Sequence, residues 1–203
     1  MYHEKNFQGY TLSWSDERAF YMLDDKPMPN VTALLEEKYA EKIRYAKANS
    51  QRLSRYHLSK LHDAICDPKN NETDFREYKN FLKLCELYGM KADACDVPVV
   101  LYNSECRPIA CDIVDLIVKQ STGTSLVIMK RQRTIDRRYY TDKANLLALA
   151  FNQTYGDSVQ FCKCIQLLND LRKLTPLVRN ETLANEVIIQ YGSKKNNEEN
   201  ADL

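Results

Sequence analysis

Glycine and proline are scarce in this chain. Its 203 residues include five glycines and six prolines. Tight turns depend on these residue types, and a sandwich or barrel of many strands needs a turn about every 8–12 residues. The scarcity therefore favours long elements joined by few turns over an all-β architecture.

Long hydrophobic runs are also missing. No segment approaches the roughly 18 consecutive apolar residues of a membrane-spanning helix, and the first residues lack the basic-then-apolar order of a secretory signal. We therefore expect a soluble, intracellular protein. A content of 44% hydrophobic and 28% charged residues allows a substantial buried core, which excludes disorder of the whole chain.

The cysteines lack the spacings of a metal or disulfide framework. There is no Cys-x-x-Cys pair, and a chain of this length does not need covalent staples. The seven cysteines are Cys66, Cys85, Cys95, Cys106, Cys111, Cys162 and Cys164. We interpret them as reduced thiols in the cytoplasm or nucleus. We predict no cofactor and no metal, although His62 and Cys66 have the spacing of one helical face.

Acidic residues are absent between Lys42 and Lys60. This first basic stretch carries six positive charges and no Asp or Glu. A second basic stretch, from Lys130 to Lys143, carries six positive charges and two aspartates. The chain has a net charge of +1, so the other residues together carry −9. Such segregation permits a strong local field in a nearly neutral protein.

The N-terminal half predicts a hairpin followed by helices over residues 31–88. Alternation of apolar and polar residues places the hairpin at residues 9–23. Residues 31–66 contain neither Gly nor Pro, which predicts a long helix or two helices with a break near Asn49. Its apolar positions share one face and its basic positions another. A further helix is predicted from Asp74 to Tyr88, closed by Gly89.

The middle of the chain predicts a small sheet within residues 97–135. Two apolar, β-rich runs, Val97–Tyr102 and Leu126–Met129, flank the amphipathic segment Ile109–Gln120, which Pro108 begins as a helix. Strand, helix and strand in this order indicate a βαβ unit over residues 97–129.

The C-terminal part predicts a helical group over residues 141–191. Thr141 or Asp142 caps the first helix, which ends at Gly156, and the next helix runs from Asp157 through Leu174. Residues 193–203 predict a disordered polar tail. We therefore expect an α+β fold, predominantly helical, forming a single compact domain over residues 1–192.

The two basic stretches predict a non-catalytic nucleic-acid-binding protein. Lys and Arg at helical spacing meet backbone phosphates, and neighbouring tyrosines stack on bases. A winged-helix fold would use Ile109–Gln120 as its recognition helix, but Asp112 and Asp115 would repel a duplex groove, so we expect RNA or single-stranded DNA. A solvated basic face without a ligand is the competing interpretation. The predicted binding residues are Arg44, Lys47, Arg52, Arg55, Tyr56, Arg131, Arg133, Arg137 and Arg138.

A protein that binds a protein partner or itself is the first alternative. It would use the basic faces, or the apolar hairpin around Trp14 and Phe20, as its contact surface.

A metal-dependent nuclease is the second alternative. It would use Asp112, Asp115 and Lys130 near a strand end, although apolar residues stand where a ligand carboxylate is expected before the lysine. Thiol catalysis by Cys106 or Cys111 requires a histidine base that nothing in the sequence brings close.

Overall fold

The computed structural model describes residues 2–15, 21–49, 60–168, 170–182 and 184–189. Several predicted features lie outside these residues: Arg52, Arg55 and Tyr56 of the first basic stretch, Phe20, and the polar tail at 193–203. Lys47 is described by its backbone alone.

Four short strands form the N-terminal sheet. It is an antiparallel meander of β1 (Tyr2–Phe7), β2 (Tyr10–Ser15), β3 (Tyr21–Leu23) and β4 (Lys26–Met28). The segment predicted as a hairpin at 9–23 contains β2 and β3, which pair with Leu12 opposite Leu23 and Trp14 opposite Tyr21.

Aspartates make the tight turn of this meander that glycine would usually make. Asp24 and Asp25 join β3 to β4 with φ angles of 49° and 62°. Asp tolerates this left-handed conformation, which a two-residue hairpin turn requires. Asp24 Oδ1 also accepts a 2.8 Å hydrogen bond from the Thr11 amide. The scarcity of glycine therefore does not limit the number of turns, contrary to the expectation from composition.

The helices differ in their bounds from those that the sequence predicted. They are α1 (Val31–Leu34), α2 (Glu36–Asn49), α3 (residues 60–66), α4 (Arg76–Tyr88) and α5 (Arg137–Tyr155), and residues 184–189 are also helical. Non-helical dihedral angles at Tyr39 interrupt α2, so the long helix expected over 31–66 is not regular. The helix ending at Tyr88 is confirmed, with Gly89 in the left-handed conformation. No helix in the described part of the chain is long and apolar enough to cross a membrane.

Five longer strands form the central sheet. Their order along the sheet is β5 (Lys91–Tyr102), β6 (Pro108–Gln120), β7 (Gly123–Lys130), β8 (Phe161–Leu168) and β9 (Leu171–Leu177). All neighbours are antiparallel except β7 and β8, which are parallel. Because parallel strands need a crossover, α5 connects β7 to β8 across one face of the sheet.

The predominantly helical fold predicted from the sequence is wrong. The protein is 36% helical and 40% strand, with sheets of four and five strands. Residues 97–129 form an antiparallel meander, not a βαβ unit, and Ile109–Gln120 is strand β6. This strand is buried on both faces, so its apolar residues do not alternate and its pattern resembles that of a buried helix.

The second helix predicted in the C-terminal group is wrong for the same reason, whereas the first is present as α5 and ends before Gly156 as predicted. The helix expected from Asp157 through Leu174 is the antiparallel pair β8 and β9. In β8, Cys162 and Cys164 pack towards α5, whereas Ile165 and Leu167 pack in the cluster that contains α4. Helical spacing of apolar residues arose here because both faces of a strand are covered.

The core consists of two layers, one on each face of the central sheet. Leu126 and Ile128 of β7 pack against α5, and the alternate residues Val127 and Met129 pack in the cluster with α4. A third cluster joins the N-terminal sheet to β5 and β6, with Trp14 buried in it. Helices therefore pack on both faces of the central sheet.

Asn145 fixes α5 to the chain that follows β9. Its side chain is fully buried, donates to the Thr141 and Val178 carbonyls at 2.9 and 2.7 Å, and accepts from Arg179 Nη1 and the Asn180 amide at 3.0 and 2.6 Å.

We expect Asn145→Ala to lower the free energy of unfolding by about 2–4 kcal/mol, because it removes four hydrogen bonds of a fully buried side chain. Urea denaturation followed by circular dichroism measures the change. Asn70→Ala, in an exposed loop, is the control and should change the value by less than about 0.5 kcal/mol. An equal effect of the two substitutions would contradict this role of Asn145.

Candidate nucleic-acid interface

The two parallel strands end at one edge of the central sheet. β7 ends at Lys130 and β8 at Leu168, and the register places Lys130 beside Gln166. α5 begins above the same edge at Arg137, and β9 starts there at Leu171. The carboxyl ends of parallel strands beside a helix N-terminus are a common location for ligand sites in sheets of this kind.

A groove of about 410 Å³ lies at this edge on the α5 side of the sheet. We call it the α5 groove. Its lining includes Arg133 and Arg137 from the connection into α5, Gln166 of β8, and Lys173 and Thr175 of β9. Gln166 pairs with Lys173 and Cys164 with Thr175, so the last three side chains project from the face that α5 covers.

A second groove, of about 350 Å³, is lined by Arg76 and Asn80 of α4 and by Asp170 and Arg172 at the turn between β8 and β9. We call it the α4 groove. Asn80 Nδ2 donates to the Leu168 carbonyl at 3.0 Å, which ties α4 to the end of β8. The two grooves therefore lie on either side of the same hairpin end.

Positive charge dominates the lining of both grooves. It includes five cationic side chains and one carboxylate, Asp170. Arg133 donates a hydrogen bond to Asp170 in an exposed ion pair, which lowers the pKa of Asp170 below its usual value, and the nearby charge of Arg76 acts in the same direction. The cations are Arg76, Arg133, Arg137, Arg172 and Lys173.

Two residues that line the α5 groove each carry a buried oxygen with no hydrogen-bond partner among the described residues. These oxygens are Gln166 Oε1 and Thr175 Oγ1. Gln166 is only 1% exposed, and its Nε2 donates to the carbonyls of Gln132 and Arg133, each at 2.9 Å. Arg137 Nη2 donates to the Pro176 carbonyl at 3.2 Å, which holds the guanidinium beside β9.

The second basic stretch divides between the surface and the interior. Arg133 and Arg137 line the α5 groove, and Arg138 is exposed on α5. Arg131 instead pairs at 3.0 Å with Glu77, which is buried on α4. Its charge is balanced inside the protein, so we leave it out of the proposed interface.

Three groove cations were missed from the sequence. Arg172 and Lys173 are adjacent in the chain, but they fell in a segment predicted as helix, and Arg76 lies at the start of α4 far from both basic stretches. The adjacency of Arg172 and Lys173 was the available signal. Their meeting with Arg76 depends on how α4 and the β8–β9 hairpin pack.

The first basic stretch is only partly described. Arg44 is exposed on α2. The start of α2 lies against α5, since Lys38 Nζ and Tyr39 Oη both donate to Asp142 Oδ2 at 2.7 Å. Burial and the hydrogen bond to Asp142 raise the pKa of Tyr39 above its ordinary value, and the charge of Arg138 opposes this rise. The first basic stretch therefore begins on α2, and the second ends on the neighbouring helix α5.

The tyrosines that follow Arg138 do not offer stacking surfaces. Tyr139 and Tyr140 are buried in the core, where their rings pack edge to face with centroids 5.0 Å apart. Lys130 Nζ lies 5.5 Å from the centroid of the Tyr140 ring. Burial raises the pKa of Tyr140. Of the candidate stacking residues, Tyr56 lies outside the described residues.

The two aspartates considered for nuclease chemistry lie apart. Asp112 accepts a 3.0 Å hydrogen bond from Tyr21 Oη, on the side of the N-terminal sheet. Asp115 Oδ2 accepts from the Met129 amide at 2.7 Å, at the end of β7. Within residues that the structure describes, no group of three His, Cys, Asp or Glu is arranged to hold a metal ion.

The other candidate chemistries find little support in the geometry. Pro108 begins a strand, so no helix dipole acts on Cys106 or Cys111 there, and burial raises the pKa of Cys111. Trp14 is buried and stacks on His3 with ring centroids 5.4 Å apart, so it offers little contact area for a partner.

Comparison with known proteins identifies no family for this chain. No protein-family model matches the sequence, and no curated protein is similar enough to count as a relative.

Arg131 and Arg138 should respond differently to the same substitution. We expect Arg131→Met to lower the free energy of unfolding by about 2–4 kcal/mol, because it removes the guanidinium that pairs with the buried Glu77 carboxylate. Arg138→Met, on the exposed face of α5, is the control and should change it by less than about 0.5 kcal/mol. Guanidinium unfolding measures both, and equal effects would show that Arg131 is not an internal ion-pair residue.

Proposed function

We propose that this protein binds single-stranded nucleic acid, RNA or DNA, through its phosphate backbone and without catalysing a reaction. The observation that carries the proposal is the set of five cations that surrounds one end of the β8–β9 hairpin with a single carboxylate among them. Lys and Arg that neutralise phosphates release counterions, which supplies most of the affinity of sequence-independent binding.

The position of the cations favours an extended strand. Arg76 and Arg172 line the α4 groove, and Arg137 and Lys173 line the α5 groove on the other face of the hairpin. A flexible backbone follows such a curved path more easily than a stiff duplex does. The N-terminus of α5 adds a partial positive charge next to Arg137.

Direct reading of duplex bases is less well supported. The segment considered as a recognition helix is strand β6, which lies in the middle of the central sheet and is buried. Tyr139 and Tyr140 are internal, so charge has to contribute more than stacking in the described part of the interface.

A salt series tests the proposal. We expect a fluorescent single-stranded decamer to bind with an affinity that falls steeply with salt, and Arg137→Ala or Lys173→Ala each to reduce the slope of log K against log [salt] by about 0.7–1. Lys91→Ala is the matched control, since Lys91 is exposed at the opposite end of the sheet and should leave the slope unchanged.

Absence of binding to any strand at low salt would remove the proposal. Tight, salt-sensitive association with an acidic protein in the same assay would favour the alternative of a protein-interaction surface that uses the same cations.

Metal-dependent cleavage is a second candidate, and one observation favours it. The Asp115 carboxylate of β6 accepts a hydrogen bond from the amide of Met129, the residue before Lys130 on β7, so the carboxylate and the lysine lie on neighbouring strands near the same edge. A buried carboxylate close to a lysine is part of the arrangement that cleaves phosphodiesters with a divalent cation.

Asp115→Asn tests this second candidate. We expect wild-type cleavage of labelled single strands to need Mg²⁺ or Mn²⁺, and Asp115→Asn to reduce the rate by about tenfold or more, because it removes a charge that would bind the cation. Asp112→Asn, whose side chain faces Tyr21, is the control. A wild-type rate equal to the metal-free background would end this candidate.

A further inference from the structure

The α5 groove is lined by two residues that each carry a buried oxygen unpaired in the described part of the chain, and phosphate cannot satisfy one of the two, the Gln166 amide oxygen. Gln166 Oε1 and Thr175 Oγ1 are buried and lack a partner among the described residues, and both residues line the groove. Buried polar atoms in folded proteins are almost always hydrogen-bonded, so two such atoms in one groove indicate a ligand contact.

The orientation of the Gln166 amide limits what this ligand is. Nε2 donates to the carbonyls of Gln132 and Arg133, and carbonyls accept only, so the nitrogen is fixed on that side. The remaining atom, Oε1, can only accept a hydrogen bond. A phosphate diester has no N–H or O–H to give it.

The groove therefore combines a preference for anions with a requirement for a donor. Arg137 and Lys173 supply positive charge, and Gln166 requires an N–H or O–H group within the same 410 Å³. A nucleotide unit carries both features, since its phosphate is anionic and its base or ribose 2′-hydroxyl donates.

We propose that the α5 groove is a subsite for one nucleotide of the bound strand. The phosphate lies against Arg137 and Lys173, and a donor of the base or sugar bonds to Gln166 Oε1. The Thr175 hydroxyl makes a second polar contact in the groove. This inference rests on the proposed function, and it adds that the protein contacts more than the backbone at this position.

Three decamers of equal length and charge separate the contributions of the base, the 2′-hydroxyl and the phosphate backbone to the affinity. They are an RNA, a DNA of the same sequence, and a DNA in which every base is replaced by a tetrahydrofuran abasic site. We expect the strands with a donor to bind about five- to tenfold more tightly than the abasic strand, the gain of one hydrogen bond to a buried acceptor. If the RNA binds more tightly than both DNA strands, the donor is the 2′-hydroxyl. If the RNA and the DNA of the same sequence bind with equal affinity, the donor is on the base.

Two substitutions locate this preference in the α5 groove. Gln166→Met introduces a side chain of similar shape. It should reduce the preference for strands with a donor over the abasic strand to less than about twofold, while the salt slope stays unchanged. Thr175→Val removes one hydroxyl from a partly buried residue, so it tests the same groove if Gln166→Met does not fold. Lys91→Ala remains the control for both.

The outcomes are distinguishable from those of the proposed function. Salt-dependent binding of all three strands with equal affinity overturns the subsite and leaves backbone binding in place. A preference for donor strands that both variants retain also overturns it, because the contact then lies elsewhere. Absence of binding by any strand overturns the proposed function, and the subsite with it.

Discussion

The parallel pairing of β7 and β8 is the constraint on which the rest of this structure depends. It requires a crossover, and α5 supplies it by covering one face of the central sheet while α4 covers the other. It also brings Lys130 and Gln166 side by side at one edge. The core and the two basic grooves are therefore consequences of one strand orientation.

Polar contacts hold α4 against the sheet and α2 against α5. Glu77 of α4 pairs with Arg131 just after β7, and Asp142 of α5 accepts from Lys38 and Tyr39 of α2. Each buried carboxylate needs its partners, because an unpaired charge in the core is costly. Residues that are bound in this way stabilise the fold, whereas Arg137 and Lys173 point their charges into a groove that a ligand can occupy.

Local signals in the sequence predicted the elements that end with a specific cap. α4 stops before Gly89 and α5 before Gly156, both in the left-handed conformation, and both ends were placed correctly. The start of α5 was placed at Thr141 or Asp142, whereas the cap is Asp136, because Asp142 is an interior residue that binds Tyr39. Strands β6 and β8 were predicted as helices, since two-sided burial removes the alternation that identifies a strand. The start of β9, an edge strand with several exposed residues, was included in the same predicted helix as β8.

The sequence by itself determined that charge is segregated in this protein and that Arg133 and Arg137 belong to a basic stretch. Charge sign and helix caps are local properties, so they can be read without the fold. Only the tertiary structure decided that Arg131 turns inward to Glu77 while Arg76, Arg172 and Lys173 join the exposed set. Which basic side chains lie inside and which line the grooves depends on strand register and on helix packing between residues almost one hundred positions apart. No short-range pattern in the chain contains this information.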